Sequence, residues 1–169
     1  MTGSGRPKSD VHERTPAAVR HSTARLAAVQ ALYQIDLTGA GVAQVLEDFP
    51  RIRMDEEEDG IESNPADARP RMFQELVWGV VNRRDELDGL LAPLISAGWS
   101  LDRLEIILRC ILRAGAFELV ARKNVPARVA ITEYVDLAHA FYAGGEPAMV
   151  NGVLDRLVRE VRPGELDER

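Results

Sequence analysis

The stretch LDRLEIILRCILRAGAFELVAR, residues 101–122, decides the fold of this chain. Its apolar residues recur at helical spacing, and between Ile106 and Phe117 they surround the helix almost completely. Because a helix that is apolar on all sides is buried, we expect this stretch to form the central helix of the molecule. Gly115 in its interior predicts close contact with another helix, and Ser100 is predicted to cap its first turn.

The segments on either side of this stretch follow the same helical spacing. None of them shows the alternation of a β-strand, so the sequence predicts an all-α protein of about seven helices. Pro93 falls inside one of these patterns and predicts a kink there, and Gly39 with Gly41 is expected to end the first helix. The other predicted helices occupy about residues 15–38, 42–49, 70–81, 85–95, 127–142 and 148–161.

The last predicted helix contains MVNGVLDRL at residues 149–157, in which Asn151 and Gly152 are poor helix formers. Three explanations fit this pair. Gly152 lets another backbone or a ligand come close, Asn151 makes a hydrogen bond that requires an amide, or the pair is a tolerated weak start of the helix. The apolar stripe of this segment consists of Val150, Val153, Leu154 and Leu157.

The composition is that of a globular protein, with 169 residues of which 46% are hydrophobic and 28% are charged. Such a chain fits one domain. No segment reaches the roughly 18 apolar residues that a membrane span needs, and the first 14 residues lack the apolar core of a secretory signal. The single cysteine, Cys110, fits a reducing compartment and is predicted to be a small core side chain. We therefore expect a cytoplasmic protein without membrane contact.

Charge is distributed unevenly along the chain, although the net charge of −6 argues against a generally basic nucleic-acid binder. Residues 1–25 hold five basic residues against two acids, whereas residues 47–59 hold seven acids against two arginines. This asymmetry predicts either a basic end that meets phosphate or a tail that only aids solubility. We expect a disordered basic tail at 1–14 and one helical domain at 15–163, with a mobile acidic loop at 50–69.

Four residues of the first helix, His21, Arg25, Val29 and Tyr33, follow one another at a spacing of four and so share one strip. A cation, an imidazole and an aromatic ring on one strip could hold a phosphate and stack a base. The same residues also fit a structural role, in which Tyr33 packs at the rim of the core and Arg25 lies over it.

Sequence motifs typical of common enzyme sites do not occur. The chain has no phosphate-binding glycine loop, no C-x-x-C and no H-E-x-x-H. Its three histidines are scattered, and Cys110 has no base partner that the sequence reveals. We therefore favour binding over catalysis and predict no metal and no cofactor.

Four segments together resemble the NusB family of transcription antitermination factors. Each segment is weak evidence by itself, but their order and spacing agree over about residues 20–161. Two departures stand out: the arginine-rich run of the family reads RHSTAR here at 20–25, and Met149 replaces the usual phenylalanine. The four segments are Ala24–Arg25 with AVQALYQ at 28–34, ILRAGAFEL at 111–119, VPARVAITE at 125–133 and MVNGVLD at 149–155.

The resemblance implies an all-helical fold of two packed three-helix bundles and a role that is not enzymatic. It further implies binding of boxA-type single-stranded RNA from ribosomal RNA operon leaders. The implied protein partner is NusE, a small-subunit ribosomal protein, in an antitermination complex with RNA polymerase. By similarity, the residues that face RNA are Arg20, His21, Arg25, Tyr33, Met149 and Asn151, and those that face NusE are Asp102 and Glu105.

One alternative function is a protein-interaction scaffold that binds NusE with little RNA contact of its own. The depleted arginine run and the net charge of −6 favour this alternative.

Overall fold

The computed structural model describes residues 16–49, 69–96 and 98–167. The predicted tail at 1–14 and residues 50–68 of the predicted acidic loop lie outside the described residues. Arg69, which was expected to end that loop, already begins a helix.

The described residues form seven α-helices and no strand, which confirms the predicted all-α class. Three single-turn 3₁₀ helices, Ala92–Leu94, Leu101–Arg103 and Glu165–Asp167, lie between or after them. The α-helices are α1 (Pro16–Thr38), α2 (Val42–Glu47), α3 (Arg69–Asn82), α4 (Arg84–Leu91), α5 (Ile106–Ala121), α6 (Ala127–Phe141) and α7 (Glu146–Val161).

Helix α5 is the centre of the molecule, as its apolar pattern predicts. Every side chain from Cys110 to Leu119 is buried. Helix α5 packs against α1, α3 and α4, and also against α6 and α7. The two predicted bundles therefore share α5, and one continuous hydrophobic core runs through both of them. Such sharing fixes the two halves of the molecule relative to each other.

The start of the central helix differs from the prediction. Instead of one helix from residue 101, the chain forms a 3₁₀ turn and then an extended step at Leu104 before α5 begins at Ile106. Leu101 and Leu104 are both buried, and their spacing of three matches the period of a 3₁₀ helix, which places them on one face. The prediction that Ser100 caps the helix through its side chain was wrong, since only its backbone carbonyl accepts the N–H groups of Arg103 and Leu104.

Other helix ends follow the expected chemistry. Gly39 ends α1 with a φ of +69°, in the left-handed region that glycine adopts freely. Pro93 does not kink a continuing helix, because α4 already ends at Leu91 and a 3₁₀ turn follows.

The close contact predicted at Gly115 is confirmed, since a Cβ there would lie 2.9 Å from Cδ1 of Leu154 on α7.

Candidate functional site

Arg25, which was expected to contact RNA, lies inside the protein. Only 3% of the residue is exposed. Its Nε and Nη2 donate to the carboxylate of Glu118 on α5, at 3.0 Å and 2.5 Å. The hydroxyl of Tyr134 on α6 donates to the same carboxylate at 2.7 Å. This cluster of Arg25, Glu118 and Tyr134 joins α1, α5 and α6.

The electrostatics of this cluster keep Arg25 charged and Tyr134 protonated. Burial by itself would lower the pKa of Arg25, but the hydrogen bond and the charge of Glu118 outweigh burial and raise this pKa. Burial and the charge of Glu118 raise the pKa of Tyr134 well above its ordinary value, so the hydroxyl stays protonated and donates. A phosphate could reach Arg25 only by displacing Glu118. The structure thus corrects the expectation for Arg25, which holds α1 in place instead of facing solvent.

Met149 also differs from its expected position. The side chain is 9% exposed and belongs to the hydrophobic core. Val150 and Val153 on the same helix are completely buried beside it in that core. The structure therefore gives Met149 a packing role in the core, and its contact with RNA stays a prediction. Asn151, two residues after Met149, is exposed.

Gly152 lies next to an arginine side chain of its own helix. A Cβ at this position would lie 3.4 Å from Nη1 of Arg156, one turn further along α7. The guanidinium of Arg156 donates to the carbonyl of Leu94 at 2.8 Å and to Oγ of Ser96 at 3.4 Å. Arg156 thus fastens the segment after α4 to α7. A Cβ at residue 152 would only make ordinary van der Waals contact with this flexible side chain, so the space around Gly152 does not require a glycine. The three explanations that fit the Asn151–Gly152 pair therefore stay open.

A cavity of about 670 Å³ lies where α1, the start of α5 and the end of α6 meet. Two exposed aromatic residues border it, with Tyr33 37% and Phe141 42% exposed. The hydroxyl of the neighbouring Tyr142 donates to Glu105 at 2.9 Å. The residues that line this cavity, called the α1–α5–α6 cavity below, are Gln30, Tyr33, Glu105, Ile106, Ile107 and Phe141.

The α1–α5–α6 cavity brings together two residues that were predicted for different partners. Tyr33 was expected to face RNA and Glu105 to face NusE, and both line this one cavity. Asp102 is exposed on the adjoining 3₁₀ turn, three residues before Glu105. This end of α5 therefore combines apolar, aromatic and acidic groups.

The remaining predicted residue of the strip lies elsewhere. His21 is half-buried and precedes Tyr33 by twelve residues of continuous helix, which corresponds to about 18 Å. The backbone of Arg20 belongs to α1, but its side chain lies outside the described residues. His21 and Tyr33 thus do not belong to one compact site on α1.

Sequence reasoning missed Glu118, Tyr134 and Phe141. A signal for the first was present, because Glu118 is a charged residue inside a segment that is otherwise fully buried. Buried charges are found paired, so its position called for a cationic partner. No local signal identified which arginine that would be, since the two residues are 93 positions apart.

None of the helices within the described ranges is long and apolar enough to cross a lipid bilayer.

Comparisons with known proteins place the chain in a family. The model of the NusB family matches residues 22–159. A transcription antitermination protein NusB of Rhodopseudomonas palustris (strain TIE-1) is 44% identical over 165 residues, covering 95% of this chain and 94% of the relative. The protein of the same name from Bradyrhizobium sp. (strain BTAi1 / ATCC BAA-1182) is 48% identical over 149 residues, covering 88% of this chain and 87% of the relative.

Solved structures give the same result. T. maritima NusB superposes with a TM-score of 0.68 at 26% identity, covering 91% of this chain and 99% of that chain. A chain in the crystal structure of antitermination factors NusB and NusE in complex with dsRNA superposes with a TM-score of 0.63 at 26% identity, covering 86% and 99%. With its fold and nearly its whole length matched in this way, the chain belongs to the NusB family.

Proposed function

We propose that this protein is a transcription antitermination factor. It binds boxA-type single-stranded RNA from ribosomal RNA operon leaders together with NusE, in the complex with RNA polymerase. The observation that carries the proposal is the similarity, over nearly the full chain, to relatives named as transcription antitermination proteins. A structural neighbour in which NusB and NusE are in complex with dsRNA supports a role in binding NusE and RNA. The protein acts in the cytoplasm by binding and catalyses no reaction of its own.

Four residues of the predicted set are assigned to RNA: Tyr33 and Asn151, which are exposed, and Arg20 and His21 at the start of α1. Tyr33 stacks on a base, since base–aromatic stacking contributes about 1–3 kcal/mol and tolerates any base. Asn151 reads a base edge, because its amide offers both a donor and an acceptor. Arg20 and His21 contact phosphates at the start of α1.

The acidic end of α5 is assigned to NusE. Asp102 and Glu105 present negative charge beside the apolar lining of the α1–α5–α6 cavity. A basic surface on NusE would complement these charges and would speed association at low salt. Because Tyr33 lines the same cavity, RNA and NusE bind side by side, and each completes the surface for the other.

The test is a titration of boxA RNA and of a scrambled RNA of equal length, with the protein alone and with NusE. We expect boxA to bind more tightly than the scrambled RNA, with the larger difference when NusE is present. Tyr33→Ala should weaken boxA binding, while Thr132→Ala, an exposed position on α6, serves as the matched surface control. Equal affinity for both RNAs in both conditions would refute sequence-specific binding.

A second candidate function is the scaffold that binds NusE with little RNA contact. The burial of Arg25 favours it, because it removes a cation from the RNA-facing surface that the sequence predicts. This candidate predicts that boxA RNA adds nothing to the stability of the complex with NusE. A ternary complex that dissociates more slowly than the binary complex would exclude it.

A further inference from the structure

A second cavity, of about 310 Å³, lies between the start of α3 and the end of α5. Two arginines, Arg71 and Arg122, and the amide of Asn124 line it, and Lys123 is exposed next to them in the chain. Glu75 is the acid of the lining and pairs with Arg122. The α3–α5 cavity, as it is called below, therefore carries a net positive charge.

The stability of the helices does not account for all of these cations. Arg122 and Lys123 follow the end of α5, where the helix dipole favours positive charge. Arg71 lies instead in the first turn of α3, where the dipole disfavours a cation. Arg122 is also incompletely bonded, since its Nε–H is buried and has no acceptor among the described residues. Both features point to an anionic ligand.

The α3–α5 cavity lies level with the start of α1. Helices α1 and α5 run in opposite directions, because Arg25 pairs with Glu118 while Asp36, further along α1, pairs with the earlier residue Arg113 at 3.1 Å. His21 precedes Arg25 by one turn, and Arg122 follows Glu118 by one turn. The residues assigned to phosphates on α1 and the cations of the α3–α5 cavity therefore lie at the same end of the molecule.

We propose that the α3–α5 cavity binds the phosphodiester backbone of the RNA and extends the path that begins at α1, an inference that rests on the proposed function. The planar guanidinium of Arg122 can donate two parallel hydrogen bonds to a phosphate, and in the structure its Nη1 donates to Glu75. Phosphate oxygens replace Glu75 on this guanidinium, and Arg71 and Lys123 supply further positive charge. Glu75 thus competes with the RNA for the same donors.

Because Glu75 competes with the RNA, removing the cations and neutralising Glu75 should change the RNA affinity in opposite directions. Arg71→Ala combined with Lys123→Ala should weaken binding of a boxA RNA extended by flanking leader sequence. The log–log salt slope should fall by about 0.7 for each phosphate that is no longer neutralised, which is roughly a fourfold loss of affinity per phosphate at 0.15 M salt. Glu75→Gln should tighten binding of the same RNA. Arg103→Ala, an exposed arginine before the other end of α5, is the matched charge control and should leave the salt slope unchanged.

The outcomes separate this inference from the proposed function. If the unaltered protein does not bind boxA RNA with or without NusE, both fail. If it binds and the α3–α5 variants bind equally well, the cavity carries no RNA contact while the proposed function stands. If Arg103→Ala reduces the salt slope of RNA binding as much as the cavity variants do, the effect results from net charge, and the proposed RNA site in the α3–α5 cavity is refuted. If the double variant Arg71→Ala/Lys123→Ala melts at a lower temperature than the unaltered protein, its weaker RNA binding could result from unfolding. The test then rests on Glu75→Gln, and if this variant does not bind the RNA more tightly, the α3–α5 cavity is not an RNA site.

Discussion

Replacing Arg25 by alanine tests the role of the buried cluster that it forms with Glu118 and Tyr134. The substitution leaves the Glu118 carboxylate completely buried without its cation. Removing one partner of a buried ion pair costs about 3–5 kcal/mol. A domain of this size has a free energy of unfolding of about 5–15 kcal/mol, so Arg25→Ala should remove a large part of the stability.

The assay is urea unfolding followed by far-ultraviolet circular dichroism. Arg25→Ala and Glu118→Leu are each expected to lower the free energy of unfolding. The double variant Arg25→Ala/Glu118→Leu should lose roughly 2–3 kcal/mol less than the sum of the two single losses, since neither charge is left buried alone. Arg159→Ala is the control, because its side chain is 56% exposed and its removal should change stability by less than about 0.5 kcal/mol.

Two results would refute this reasoning. A loss below about 1 kcal/mol in Arg25→Ala, or additive losses in the double variant, would show that the pair does not stabilise the fold. A variant that stays folded but shows a smaller salt slope for boxA RNA would show that Arg25 contacts phosphate, as the pattern of the strip on α1 predicts.

Three further predictions concern packing, reactivity and pH. Gly79→Ala should cost about 1–3 kcal/mol in thermal or urea unfolding, because a Cβ there would overlap the ring of Phe117. Gly89→Ala, in a helix with open space around the added Cβ, should instead stabilise by about 0.5–1 kcal/mol; equal effects of the two would contradict the packing. Burial and the charge of Asp36 raise the pKa of the Cys110 thiol to about 12. A thiol reagent at pH 8 should therefore label the protein only after unfolding, and fast labelling of the native state would disprove the burial of Cys110. The backbone N–H of Ala127, which begins α6, donates to Glu165 and lowers the pKa of that carboxyl. The contact therefore stabilises the fold at pH values above the ordinary glutamate pKa, and this stabilisation disappears as the pH falls through the lower pKa of the folded state. Glu165→Gln should flatten the acid side of the stability–pH curve, and an unchanged curve would exclude the contact.

Local patterns predicted the helices well because each helix buries a continuous apolar face. The course of α5 followed from its apolar circumference, whereas its start did not, since the burial of Leu101 and Leu104 required a 3₁₀ turn and an extended step. The end of α1 at Gly39 followed from the backbone freedom of that residue.

The candidate site was harder to predict because it depends on contacts between distant parts of the chain. The strip on α1 looked like a surface strip, yet Arg25 and Val29 are buried and Tyr33 is exposed. Nothing within α1 distinguishes these positions, because only the packing of α5 and α6 determines which part of the strip is covered. The α1–α5–α6 cavity likewise exists only where the three helices meet.

The long separation between Arg25 and Glu118 has a consequence for synthesis on the ribosome. The two residues are 93 positions apart, and chains grow at about 5–20 residues per second. Roughly 5–20 seconds therefore pass between the addition of Arg25 and the addition of its carboxylate partner Glu118. Throughout that interval the nascent first helix carries an unpaired cation on the face that it will later bury. Its docking must wait until about two thirds of the protein has been translated.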